Sequence, residues 1–324
     1  MPAHVIDTAL DRSVVLGYGR LGPSVRRRLD GWPADPPRLD GKTVLVTGAA
    51  SGLGLAACQG YARLGATVHA LARDERRAEH ARQLIADSVP GADVHGEVCD
   101  LSSLSGLRAF ATRFAAGQSR LDVLINNAGV MPAQRRETPD GNELMFATHV
   151  LAPFALTAWL DGLLGRSAPA RIINVSSGGM YGQRLVADDL QSQRIAYSAT
   201  RIYARTKRQE VVISELWARR LRDSGVVVHA MHPGWVETEG LRKSLPLFRT
   251  LTRPIIRTPA DGADTIVWLG GAPEALRCTG RFWHDRRPRP THHPCGPGRD
   301  SEAERERLWN DCQTIIDRAA AEPV

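Results

Sequence analysis

From Thr43 to His284, short runs of aliphatic and β-branched residues alternate with longer amphipathic stretches. The runs read as strands at Thr43–Thr47, Thr67–Leu71, Asp93–Val98, Leu121–Ile125, Arg171–Val175, Val226–Ala230 and Gly280–His284. Between them, Leu53–Leu64, Arg76–Ser88 and Leu104–Ala116 carry a helical period and are bounded by Gly, Pro or Ser. The strands show little polar–apolar alternation, so both their faces have to be covered. Helix-length crossovers between such strands require parallel pairing. The pattern predicts an α/β fold, a single doubly wound parallel sheet of about seven strands with N- and C-terminal extensions.

The extensions fall at 1–40 and 286–324, leaving 41–285 as the domain. The first holds an apolar patch from Val14 to Leu21, the triplet Arg26-Arg27-Arg28 and a Pro-rich stretch from Trp32 to Pro37. It reads as an arm packed on the domain, or as a basic amphipathic anchor making peripheral contact with a membrane surface. The second runs through a Pro-, Arg- and His-rich stretch into a terminal helix at Ser301–Ala321. Ser301 and Glu304 there have the spacing of a capping box.

Composition narrows the class. A chain of 324 residues, 43% hydrophobic and 24% charged, is neither disordered, collagenous nor a disulfide scaffold. No apolar run approaches the ~18 residues that cross a bilayer, and Met1 to Leu10 lacks the order of a secretory signal. Five scattered cysteines point to a reducing compartment, so the expected location is cytoplasmic. The net charge of +7 is almost all arginine, since lysine occurs only at Lys42, Lys207 and Lys243. Acids are interspersed and the aromatics are dispersed, so no nucleic-acid partner is expected. Arg26-Arg27-Arg28 and Arg135-Arg136 read as solvated faces. His284, His292, His293 and Cys295 lack the paired spacing of a zinc site, so no metal is expected.

The strongest local signal is Thr47-Gly48-Ala49-Ala50-Ser51-Gly52-Leu53-Gly54, which follows the first strand and opens the first helix. Glycines in such a turn let backbone approach a pyrophosphate, and the helix N-terminus offers N–H donors to it. The spacing resembles the cofactor turn of the short-chain dehydrogenase/reductase family. Further patches agree in the family's order: Asp100, Asn126-Asn127-Ala128-Gly129, Ser176-Ser177, Tyr203-x-x-x-Lys207, and Pro233-Gly234 with Thr238. The resemblance covers about Gly41 to Asp285. Within the family, several stretches resemble the dehydrogenase/reductase member 12 subgroup of its retinol-dehydrogenase-like branch. They are Arg12-Ser13-Val14-Val15, Phe146-Ala147-Thr148, Ser176-Ser177-Gly178-Gly179-Met180, Asp189-Leu190-Gln191-Ser192 and Met231-His232-Pro233-Gly234-Trp235.

The resemblance implies a Rossmann-type fold and an NAD(P)-dependent oxidoreductase interconverting an alcohol and a ketone or aldehyde, as a homo-oligomer. It implies Ser177, Tyr203 and Lys207 as catalytic residues. It also implies Thr47, Gly48, Ala50, Ser51, Gly52, Leu53, Gly54, Asp100, Leu101, Asn127, Ala128, Gly129, Tyr203, Lys207, Pro233, Gly234, Val236 and Thr238 as cofactor contacts. The family's active serine matches Ser177 rather than Ser176. Tyr197 is followed four residues on by Arg201 instead of lysine, so Tyr203 is the matching tyrosine. The long interval between Ser177 and Tyr203 resembles an insert that lines the substrate entrance. Trp235 and Phe248, in a stretch that forms a lid in relatives, read either as a lining for a lipophilic substrate or as core packing.

Chemistry agrees with that alignment. Tyr203 and Lys207, four residues apart, share one face of a helix. A phenol with an ordinary pKa of ~10 is a poor base near neutrality, and an adjacent ammonium favours the phenolate. His149 stands where the family presents an asparagine to a proton relay; a histidine there can substitute through its main chain, can titrate near neutrality, or is a helix histidine with no chemical role. At the end of the second strand an NAD site offers a carboxylate and an NADP site an arginine. Arg73 falls at that point with Asp74 beside it, so NADP is expected ahead of NAD. A second reading, resting on His149 and the basic arm, is a catalytically weak, cofactor-binding sensor or scaffold of the same fold.

Overall fold

Strand β1 (Thr43–Thr47) is buried along its whole length, as its unbroken aliphatic run requires. Helix α4 (Gly52–Arg63) leads from it to β2 (Thr67–Ala72), and α5 (Glu75–Ser88) to β3 (Val94–Val98). The small helices α1 (Ala3–Arg12), α2 (Val14–Tyr18) and α3 (Leu21–Arg26) precede them. After β3 come α6 (Leu104–Gly117), β4 (Val123–Asn126), α7 (Leu144–Phe146), a π turn at Ala147–Leu151, α8 (Ala152–Arg166) and β5 (Ala170–Val175). Helix α9 (Ala199–Arg220) and β6 (Val226–Met231) follow, then α10 (Pro259–Gly271), β7 (Arg281–His284), β8 (Arg287–Arg289) and α11 (Glu302–Ala321). The computed structural model describes residues 3–237, 250, 252–293 and 296–321.

The strands form one sheet in the order β3-β2-β1-β4-β5-β6-β7-β8. All pairs from β3 to β7 are parallel and β8 joins antiparallel. Chain order reverses between β1 and β4, which places a crevice at the carboxyl ends of those strands. One face is covered by α6, α8, α9 and α11 around Phe110, Phe154, Leu216, Trp217 and Trp309. The other is covered by α4, α5 and α10 around Tyr61, Ile85, Ile266 and Trp268. Strand β3 departs from the expectation of double-sided burial, with His95, Gly96 and Val98 exposed, because it is the sheet's edge. Helical backbone running from Leu144 to Arg166 is long and apolar enough to cross a membrane. Most of it is buried in the core, which accounts for its composition. Ser301 and Glu304 close the expected capping box, each side chain accepting from the other's backbone N–H at 3.2 Å.

The sheet has eight strands rather than seven. Asp285 and Arg286 both sit at positive φ, 51° and 55°, which lets a two-residue turn fold β8 back on β7. Asp285 is a residue type that tolerates such a conformation, but Arg286 is not. Asp285 is held by a two-pronged ion pair from Arg257, at 2.6 and 3.0 Å, and by Arg26. Arg286 grips Asp264 at 2.7 Å and Asp35 at 2.7 Å.

These contacts also dock the N-terminal arm. Arg26 was expected on a solvated face with Arg27 and Arg28, yet it is wholly buried. It donates to Asp7 at 2.8 Å and pairs with Asp285, so α3, α1 and the β7–β8 turn converge on one guanidinium. Asp7 also receives Arg289 at 2.8 Å. Burial opposes ionisation of Asp7, but hydrogen bonds from Arg289 and Arg26 outweigh it and hold the carboxyl well below the carboxylate range. The Pro-rich stretch crosses α10, where the Trp268 indole donates to Ala34 O at 3.0 Å.

Asp285→Asn keeps a residue type that tolerates positive φ while removing a buried charge shared by two arginines. It is expected to cost about 3 kcal/mol or more in urea unfolding and to expose the arm to limited proteolysis. Because the folded carboxyl of Asp7 lies below its unfolded value, its contribution is present above the ordinary Asp range and lost as pH falls below it. Acid titration followed by far- and near-ultraviolet circular dichroism reads that loss.

Candidate active site

The turn after β1 is locked from β4. Thr47 Oγ1 accepts from the backbone N–H groups of Asn127 at 2.9 Å and Ala128 at 3.0 Å. Asn127 returns its side-chain amide to Thr47 O at 2.9 Å. Gly48 sits at φ +68°, and a Cβ there would lie 2.8 Å from Ala128 Cα. A Cβ on Gly54 would meet the Asn127 amide at 2.6 Å. This is a bare-backbone cradle that side chains would fill, followed by the amino end of α4. Ser51 at the N-cap makes no capping bond through its side chain, so the first-turn N–H groups remain suited to an anion. The residues present therefore fit a dinucleotide pyrophosphate.

Around this cradle the other expected contacts take up distinct places. Ala50, Gly52 and Leu53 are half-buried in the turn and Ser51 is exposed. Asp100 is exposed, its carboxylate accepting from Ser102 N at 2.9 Å and Ser102 Oγ at 2.8 Å; Leu101 beside it is half-buried. Gly129 is exposed next to His149, whose Nε2 would lie 3.4 Å from a Cβ there. Pro233 and Gly234 follow β6, and Val236 is buried. Thr238 and Phe248 lie outside the described residues, as does Cys295. At the end of β2 the Arg73 side chain is largely exposed, its Nε 4.0 Å from Asp74. Asp74 caps α5, accepting from Arg77 N at 2.9 Å and Arg77 Nε at 3.0 Å.

The chemistry-bearing residues meet at the carboxyl end of β5. Ser176 is buried and its hydroxyl donates to Lys207 O at 2.8 Å, whereas Ser177 is half-buried and opens a 3₁₀ turn at Gly178–Gly182. That difference separates the two serines on physical grounds: one hydroxyl is spent on packing. A Cβ on Gly179 would be 3.6 Å from Ser177 Oγ and 3.8 Å from Ala204 Cβ, so the turn abuts α9 beside Tyr203. Tyr203 is half-buried, edge-on to the His149 ring at 5.4 Å, with Lys207 Nζ 5.8 Å from its ring centre. Tyr197, by contrast, donates its hydroxyl to Pro132 O at 2.6 Å.

His149 is fully buried within the π turn. Its Nε2 accepts from Val130 N at 3.0 Å, so the proton sits on Nδ1 and points to Thr206 Oγ1 at 2.8 Å. Burial, aided by the Lys207 charge, holds this imidazole neutral well below its ordinary range. The expectation that it titrates near neutrality is therefore corrected. The segment between Ser177 and Tyr203 is anchored rather than loose: Leu185, Ala187 and Leu190 join the core, and Asp189 pairs with Arg205 at 3.3 Å.

Sequence reading missed Glu210. It lies one turn beyond Lys207 on the buried face of α9, and its Oε2 is 3.0 Å from Lys207 Nζ. The signal was an acid at a position of the helix that otherwise faces the core. His232 and His284, named above only within a motif and as an unpaired histidine, are both buried and stack at 3.9 Å, with Tyr18 of the arm 4.5 Å from His232.

Comparison with known proteins agrees with this geometry. A family profile described as short chain dehydrogenase matches residues 42–246. Dehydrogenase/reductase SDR family member 12 of Bos taurus is 41% identical over 272 residues, 84% of this chain and 85% of the relative. Retinol dehydrogenase 14 of Homo sapiens is 35% identical over 316 residues, 91% of this chain and 92% of the relative. Among solved structures, the Pseudomonas aeruginosa RhlG/NADP active-site complex superposes with a TM-score of 0.63 at 26% identity, covering 76% of this chain and 94% of that one. The chain belongs to the short-chain dehydrogenase family, as an NAD(P)-dependent oxidoreductase acting on CH–OH groups.

Proposed function

We propose that the protein interconverts an alcohol with a ketone or aldehyde on a lipophilic small molecule, using NADP, with Tyr203 as general acid/base. The observation that carries this reading is the placement of Tyr203 beside the Ser177 turn with the buried Lys207 ammonium 5.8 Å from its ring. The nicotinamide accepts or supplies the hydride when bound. Ser177 donates its hydroxyl to the carbonyl oxygen and orients it. Tyr203 gives that oxygen a proton in reduction and takes it in oxidation, and the Lys207 charge favours the phenolate this requires. His149, neutral and bonded on both ring nitrogens, braces the tyrosine's helix through Thr206, which donates to Tyr203 O at 2.9 Å.

NADP is supported by what Asp74 already does. An acid committed to capping α5 and to Arg77 is not available to grip a ribose hydroxyl, while Arg73 stands exposed beside it. A planar guanidinium suits phosphate oxygens. A lipophilic substrate is supported by the apolar, half-buried Trp235 after the Pro233 turn, and by relatives whose names specify retinol, an apolar alcohol.

The arm supports a further part of this reading, peripheral contact with an anionic membrane surface. Among the described residues, five of the seven exposed large hydrophobics are Val5, Val14, Val15, Leu16 and Leu21. Of the arm's acids, Asp7 and Asp11 beside this patch are buried and Asp30, Asp35 and Asp40 are exposed further along the chain, while Arg12, Arg20, Arg27 and Arg28 are exposed. An apolar patch with a basic rim suits the headgroup boundary.

Tyr203→Phe is expected to lower kcat for NADPH-dependent carbonyl reduction by ~10²–10⁴-fold, with NADPH affinity little changed; equal rates overturn the assignment. Arg73→Ala is expected to raise the NADPH Kd by about tenfold or more and leave NADH nearly unaffected. Tighter binding of NADH than NADPH by the unaltered protein refutes the cofactor choice. The protein is expected to co-sediment with phosphatidylserine vesicles and not with phosphatidylcholine vesicles, and Leu16→Asp to abolish that binding.

A further inference from the structure

Glu210 is an acid in a place where acids are costly. Only 1% of it is exposed, and the Lys207 beside it is 2% exposed. Lys207 Nζ has three N–H donors. One goes to Val175 O at 2.9 Å and one to Glu210 Oε2 at 3.0 Å, which leaves the third for the open side of the site. The Glu210 carboxylate is thus the counter-ion on the side of the ammonium away from solvent.

The remaining charged groups around α9 are engaged elsewhere. On α9 itself, Arg205 pairs with Asp189, and Arg208 with Asp300. From α11, Arg305 pairs with Glu215 at 2.8 Å. From the π turn, His149 is neutral. On β6, burial holds His229 down to about 4, and it contacts Ala275 O at 2.9 Å. Arg171 of β5 reaches Ala272 O at 3.2 Å. In the 3₁₀ turn, the Tyr181 hydroxyl donates to Pro290 O. Glu143, which caps α7, bonds Phe146 N at 2.7 Å.

We infer that Glu210 is a positioning residue of the acid/base machinery, fixing the Lys207 ammonium and setting how much of its positive field reaches Tyr203. Packing alone does not call for a carboxylate here, because a neutral group of the same shape fills the space without the desolvation cost of a second buried charge. What the carboxylate changes is the net charge next to the phenol. Burial pushes the Glu210 carboxyl up to about 7, with the Lys207 charge acting against that rise. The pair therefore presents a net positive charge below neutrality and a largely cancelled one above it, and the protons of the cluster leave in coupled steps.

The inference rests on Tyr203 as the acid/base, and its test separates the two. The tyrosinate ultraviolet absorbance of the NADP-loaded full chain is titrated, and subtracting the same titration of Tyr203→Phe isolates the Tyr203 midpoint without need of a substrate. Glu210→Gln is isosteric and removes the charge, so the midpoint is expected to fall by about half to one pH unit. Glu210→Asp keeps the charge and is expected to leave the midpoint near that of the unaltered protein. A residue needed only for packing would respond oppositely, with the shortened Asp disturbing the site and Gln not. An unmoved midpoint in Glu210→Gln, or a shift in Glu210→Asp alone, overturns the inference. Loss of turnover in Tyr203→Phe is scored separately and tests the acid/base assignment itself.

Discussion

Lys207 carries its ammonium where 2% of the residue meets solvent, and much of the site is built to tolerate that burial. A buried ammonium needs hydrogen-bond partners from the protein that surrounds it. The end of β5 supplies Val175 O, and the next turn of α9 supplies Glu210. The Val175 bond pins α9 against the carboxyl end of β5, and Ser176 adds a second tie through Lys207 O. Because α9 is pinned there, Tyr203 lies beside the 3₁₀ turn that Ser177 opens. A charge kept out of water has to be held by the fold, and under the proposed function that same ammonium acts on Tyr203.

The cofactor cradle obeys a similar logic from the other side of the switch point. Thr47 and Asn127 exchange bonds between β1 and β4, so the two strands that flank the crevice cannot separate without breaking the turn that follows each. Small residues then keep side chains out of the space the pyrophosphate requires. The crevice itself follows from strand order, since a doubly wound sheet opens only where successive crossovers diverge.

The N-terminal arm is tied to this assembly by charge. Arg26, Asp285 and Arg257 form a buried cluster joining α3 to the β7–β8 turn, and Arg257 also donates to Tyr18 O at 2.9 Å and Pro233 O at 3.1 Å. Trp235 donates its N–H to the same Tyr18 carbonyl at 2.8 Å. The Tyr18 ring lies against Gly178, the residue after Ser177. The arm thus touches both the turn that follows the serine and the loop that follows β6. A basic composition that first suggests solvated surface is, at Arg26 and Arg257, the glue of the fold.

Much of this was legible without coordinates. Periodicity alone located β1 to its residue bounds, because a strand covered on both faces must be continuously apolar, and it placed α6 and α11 within a residue. The glycine turn, Ser177, Tyr203 and Lys207 could be singled out because the chemistry proposed for them depends on residue type and local spacing. Four features were decided only by tertiary structure. Strand β8 depends on a positive-φ turn held by Arg257 and Arg26, residues distant in sequence. Arg26 is buried because Asp7 and Asp285 meet it in space. His149 is neutral because burial in the core, aided by the Lys207 charge, disfavours its cation. Glu210 stands within one turn of Lys207 by spacing alone, but the burial that makes it the counter-ion of that ammonium comes from the packing of α9 on the sheet. Sequence specifies interactions that lie within a turn or a strand; long-range partners set the burial and charge state of each group, and those exist only once the chain is folded.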